Sequence, residues 1–115
     1  MKLTEIKTML FQTGLENTYY SYPIGDVPAL PYLVWYLPNS ENVAADDKVY
    51  KRVETLNIEL YTKTKDFTTE AAVEAVLEAW NIVWDKTESC LEDEKMYEVL
   101  YETQIFVDDE EINNG

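Results

Sequence analysis

The run PYLVWYL, residues 31–37, decides how this chain folds. Read with a period of two, Tyr32, Val34 and Tyr36 fall on one face and Leu33, Trp35 and Leu37 on the other. Both faces are apolar, and Pro31 and Pro38 bound the run. A strand of this kind must be covered on both sides. Helices are expected on one side, and a partner protein is a candidate for the other. The next strong pattern, residues 48–62, is long: Leu56, Ile58 and Leu60 alternate with Asn57, Glu59 and Tyr61. Between the two lies NSENVAADD, residues 39–47, polar enough to read as a flexible loop. A long connection before a long strand predicts a hairpin that projects beyond the core.

Two amphipathic helices flank these strands. Leu3, Ile6, Met9 and Leu10 recur at helical spacing, with Thr4 available as a cap and Gly14 followed by Leu15 as a stop. Val73, Val76, Leu77 and Trp80 form a second stripe, expected to be core. Glu70, Glu74 and Glu78 share a different, solvent-facing side, Thr68 or Thr69 provides a cap, and Asn81 ends the helix. Residues 19–22 and 82–91 read as strands, and 92–95 as an acidic turn. Residues 96–107 alternate Tyr97, Val99, Tyr101, Thr103, Ile105 and Val107 against Glu98, Glu102 and Gln104. The expected fold class is α+β: an antiparallel sheet of about four strands, two helices packed on one face, and a projecting β-hairpin. Residues 1–107 form a single domain, and residues 108–115 an acidic, flexible C-terminal tail.

Composition narrows the chemistry. Twenty-three acidic residues against nine basic ones give a formal net charge of −14 over 115 residues. Such a surface repels nucleic-acid phosphates, which need clustered Lys and Arg. It is also disfavoured at anionic membranes. Histidine is absent from the sequence, which removes the usual base at neutral pH and the usual zinc ligand. Three glycines, at 14, 25 and 115, cannot build a phosphate-cradling loop. Cys90 has no cysteine partner and reads as a buried or half-buried strand residue. The acidic pairs and triplets, Asp46–Asp47 and 92–94, lack the alternating ligands and turn glycine of a calcium loop. They read as solvated turns. No catalytic residue, metal ligand or cofactor site is expected, and the chain is expected not to be an enzyme. The first fifteen residues lack the apolar core of a secretory signal, and a reducing cytosol is the expected setting. The nine tyrosines suit half-buried sheets and protein interfaces alike.

The text ALPYLVWYLPNSENVAADDKVYKRVETLNIELYT (29–62), a helix, and then KTESCLEDEKMYEVLYETQIFV (86–107) resembles a family of small proteins from long-tailed phages and prophages of Gram-positive bacteria. These are the tail terminators, also called tail completion or neck proteins. The similarity runs from the first helix, ending in TGL (13–15), to the last strand. The resemblance implies two helices on an antiparallel sheet and a virion structural protein. It also implies a hexameric ring at the head-proximal end of the tail tube, which stops tube polymerisation and joins the tail to the head. Implied partners are further copies of the chain, the tail-tube protein and the head–tail connector, with genomic DNA passing through without sequence-specific binding. The implied localisation is the virion tail or neck, and the host cytoplasm during assembly. A head-closure ring of related fold is an alternative, and an acidic DNA-mimic inhibitor of a host DNA-binding protein is another. The expected subunit interface comprises Tyr32, Val34, Tyr36, Asn39, Glu41, Asn42, Val43, Asp46 and Asp47.

Overall fold

The computed structural model describes residues 1–45 and 48–107, giving for 43–45 and 48–51 the backbone path alone. The order of elements is α1 (Leu3–Phe11), β1 (Glu16–Tyr19), β2 (Tyr32–Tyr36), β3 (Val43–Ala45), β4 (Lys48–Thr62), α2 (Phe67–Ala79), β5 (Asp85–Leu91) and β6 (Met96–Val107). The fold is α+β, and the sheet runs β1-β2-β4-β6-β5, with β3 added to β4.

Register explains which side chains are core. Leu33, Leu60 and Val99 form one cross-strand row, and Trp35, Ile58 and Tyr101 the next. Both rows lie on the face covered by the helices, where Ile6, Met9 and Leu10 of α1 and Val73 and Leu77 of α2 complete a single apolar cluster. Each fully buried aliphatic residue here contributes on the order of 2 kcal/mol through lost apolar exposure. The stripe expected on α2 is only partly core. Val73 and Leu77 are fully buried, whereas Val76 and Trp80 pack at the edge and the Trp80 indole N–H donates to Gln12 at 2.8 Å.

The helix ends differ in detail from expectation. Lys2, not Thr4, precedes α1, and its N–H donates to the Glu5 carboxylate at 2.8 Å. Asp66, not Thr68 or Thr69, caps α2 by accepting from the Thr69 N–H and hydroxyl at 3.0 and 2.6 Å. Asn81, with φ 59°, stops α2 in the left-handed conformation as expected.

The sheet is mostly antiparallel but has more strands than expected, and β1 joins β2 in parallel. The short, polar ENTY segment of β1 gave no alternating apolar signal, so the expected strand fell three residues later. A parallel pair needs a crossover of about a dozen residues. Residues 20–31 make it without a helix, folding over the face of β2 away from the core. Rings of Tyr22 and Tyr32 meet at 5.3 Å, and those of Tyr20 and Tyr36 at 5.9 Å. The crossover turns at Pro23–Asp26, where the Asp26 N–H donates to Pro23 O at 2.9 Å and Gly25 takes φ 90°, a conformation that favours glycine. The Leu30–Pro31 peptide is cis.

Residues 39–45 are not a loose loop. The Thr55 hydroxyl donates to the Asn39 amide oxygen at 2.7 Å, Ser40 bridges Glu54, and the Glu41 N–H donates to Val53 O at 2.8 Å. The polar composition that marked a loop supplies the acceptors that fasten this segment to β4. β6 reaches along β4 to Arg52 and β2 to Asn57, so residues 48–51 pair with β3 alone among the described strands. The expected projecting hairpin is therefore β3–β4. Fifteen residues of strand span about 50 Å at roughly 3.3 Å each, matching the molecule's 50 Å long axis.

Candidate protein-binding surface

The face of the sheet away from the helices divides in two. Over β1 and β2 the crossover covers it, leaving Tyr32 8% and Val34 6% exposed. The partner expected on this side of β2 is therefore replaced by the chain's own residues 20–31, and Tyr32 and Val34 are internal. Tyr36 is half-buried at the rim, its hydroxyl donating to Glu59 Oε2 at 3.3 Å.

Over β6 and β5 the same face is open, with Glu102, Gln104, Phe106, Asp85, Thr87 and Ser89 exposed, while on β4 Val53, Thr55 and Asn57 are buried and Glu59 and Tyr61 half-buried. Strand alternation and register align Tyr61, Glu98 and Ser89 in one row, Glu59, Leu100 and Thr87 in the next, and Asn57, Glu102 and Asp85 in the third. The Tyr61 hydroxyl donates to Glu59 Oε1 at 3.0 Å. Burial and the nearby Glu98 charge nevertheless outweigh the two tyrosine hydrogen bonds and push the Glu59 carboxyl above its usual range. Burial, then the Glu59 and Glu98 charges, push the Tyr61 phenol up as well. At Glu59, burial is the larger cause and the Glu98 charge adds to it.

The other expected interface residues lie along the base of the hairpin. Asn39, Glu41 and Asn42 are exposed beside β4. The Glu41 carboxylate accepts from the Gln104 side-chain amide at 3.3 Å, and Asn42 Oδ1 from the Val53 N–H at 3.4 Å. Val43 opens β3, while Asp46 and Asp47 lie outside the described residues. The structure thus gathers 39–43 in one place and puts Tyr32 and Val34 in another.

A second charged assembly escaped the sequence reading. Glu70, placed on a solvent face by its spacing, is 2% exposed. Lys65 and Lys86 each approach its carboxylate to 2.8 Å, and they also bind Glu88 and Glu74 at 2.8 Å. The Tyr101 hydroxyl donates to Glu74 at 2.7 Å. Burial pushes the Glu70 carboxyl up, but hydrogen bonds and charge from the two lysines prevail and hold it below its usual range. The same bonds raise both lysines, so all three groups stay ionised near neutrality and none is poised to exchange a proton. The network ties α2 to β5, a strand exposed almost throughout, including Cys90, which was expected to be at least half-buried. The signal for it was present: Lys63 and Lys65 just before α2 and Lys86 at the start of β5 are the cations that flank the helix in sequence.

Among the described residues no cluster of three or more Asp, Glu, Cys or His could hold a metal, and no helix is long and apolar enough to cross a membrane. An open groove of about 720 Å³ borders Trp80, Val83, Trp84 and Phe106. No protein-family model matches the sequence, and no curated protein matches it.

Proposed function

We propose that this protein is a non-enzymatic assembly subunit of a long-tailed phage, forming a ring on the head-proximal end of the tail tube, where it ends tube growth and meets the head connector. The observation that carries this reading is the β3–β4 hairpin, whose outer four residues of β4 have, among the described strands, β3 alone beside them. That reach is about 13 Å of strand. A two-stranded ribbon is marginal in water on its own, so a neighbour that packs against it stabilises both. Ring closure needs two different patches on each subunit, and a hairpin projecting from a sheet with an open face provides two. The resemblance of residues 29–62 and 86–107 to tail terminators supports the same reading. The charge of −14 agrees with a channel wall along which DNA slides without adhering.

Depleting the protein during assembly tests the proposal. Electron microscopy should then show tubes of irregular, excessive length and unattached heads, reversed by adding the protein back. Tubes of normal length joined to leaking heads would reassign it to head closure. Normal particles, with a host DNA-binding protein inhibited instead, would favour the DNA-mimic reading.

A further inference from the structure

We infer that β5, the last strand of the sheet, is the edge through which two copies of this chain pair, strand to strand, about a two-fold axis. Such an isologous contact closes at two copies. It is therefore a form of the free protein, distinct from the proposed ring, and it stands whether or not that ring forms.

The edge is open along its length. β5 ends the sheet beside β6, six of its seven residues are exposed, and among the described residues no backbone group of 85–91 bonds outside β6. An open row of N–H and C=O groups is a template for another strand, and edges are ordinarily blunted by shortness, proline, a bulge or a lysine. The opposite edge is blunted: β1 has four residues and gives way to Tyr20, with φ 69°. β5 has seven residues without proline and keeps unbroken register with β6. Its one lysine, Lys86, is turned onto α2, where it meets Glu70 and Glu74 at 2.8 Å each.

Register singles out the pairing. Directly opposed side chains of an antiparallel pair share a face, so a two-fold axis normal to the sheet must pass through a residue that faces its own copy. An axis at Asp85, Lys86 or Glu88 sets like charges against each other, which is destabilising. An axis at Ser89 opposes Glu88 to Cys90 and Thr87 to Leu91, pairs with little to exchange. An axis at Thr87 opposes Thr87 to itself, Lys86 to Glu88 and Asp85 to Ser89. These are favourable cross-strand pairs: hydroxyl with hydroxyl, ammonium with carboxylate, hydroxyl with carboxylate. Just beyond them the same register opposes Trp84 to Cys90 and Val83 to Leu91. Val83 is 85% exposed in the single chain, and here it gains an apolar neighbour.

The self-opposed Thr87 supplies the test. Sedimentation equilibrium of the full chain should show a monomer–dimer equilibrium. About 0.15 M salt screens the charge of −14 on each copy. Thr87 is exposed, and thermal melts check that Thr87→Lys and Thr87→Glu stay folded. Each variant alone should pair at least about tenfold more weakly than the wild type, because like charges then meet on the axis. An equimolar mixture of the two should recover the pairing. A second reading comes from oxidation in a Cys90→Ser background, and it decides if a charged variant unfolds. Directly opposed Cα atoms lie about 4.5–5.5 Å apart, within disulfide reach. Thr87→Cys should therefore cross-link into a dimer, and Asp85→Cys, opposed to Ser89, about tenfold less. A wild type that stays monomeric up to about 1 mM, or a single charged variant that pairs like the wild type, would overturn the inference. So would a mixture of folded variants that fails to recover, or equal cross-linking at both positions.

Discussion

Replacing Glu70 probes the one buried charged side chain among the described residues. Its carboxylate is 2% exposed and meets Lys65 and Lys86 at 2.8 Å each. Removing one partner of a buried pair costs about 3–5 kcal/mol when the other charge is stranded. Here each lysine keeps a second carboxylate, Glu88 or Glu74, so the expected loss for Glu70→Ala is smaller, about 2–4 kcal/mol. A chain of this length unfolds with an entropy of about 0.24 kcal/mol per kelvin, so the melting temperature should fall by roughly 10 °C. The loss also has a pH signature. Glu70 titrates below its unfolded range, so its contribution is complete above about pH 4.3 and disappears as pH falls through the folded pKa. The stability gap between wild type and Glu70→Gln, from urea unfolding, should therefore be widest near neutrality and close on acidification. A gap below about 0.5 kcal/mol at pH 7, or one that does not change with pH, would refute the network's structural role.

Leu77→Ala should cost about 2–5 kcal/mol because it opens a cavity in the core. Trp80→Ala should cost only about 2 kcal/mol, since its ring is partly exposed; the reverse order in urea melts would place the core wrongly. Glu59→Gln should be neutral or slightly stabilising at pH 7, because a carboxyl raised in the fold weighs against folding once ionised. That gain should vanish as pH falls below the unfolded range near 4, and destabilisation at pH 7 would contradict the account of the acidic face. Gly25→Ala should lower stability by about 1 kcal/mol or more, because φ 90° disfavours a side chain even where space is open; an unchanged melt would mean that the crossover turn reshapes freely.

What the sequence made legible was what alternation and helical spacing encode. The core faces of 56–60 and 97–107 and both helices follow from those periods, and the projecting hairpin from a long connection before a long strand. What it concealed depends on which strands meet. Tyr32 and Val34 looked like interface because their face was apolar, and only the parallel pairing of β1 reveals that residues 20–31 must cross over them. Glu98 and Glu102 were visibly on a polar face, but their alignment with Glu59 and Asp85 requires the β4–β6–β5 register. Glu70 misled for a similar reason. Spacing assigned it to solvent, while Lys65 and Lys86 neutralise it from outside the helix and allow its burial.

The central claim is that this chain acts by forming a closed ring on a tail tube, and electron cryomicroscopy of tubes assembled with the purified protein tests it most directly. The account predicts a single ring of six subunits at one end only. Bare tube ends with the protein still monomeric in solution would contradict it.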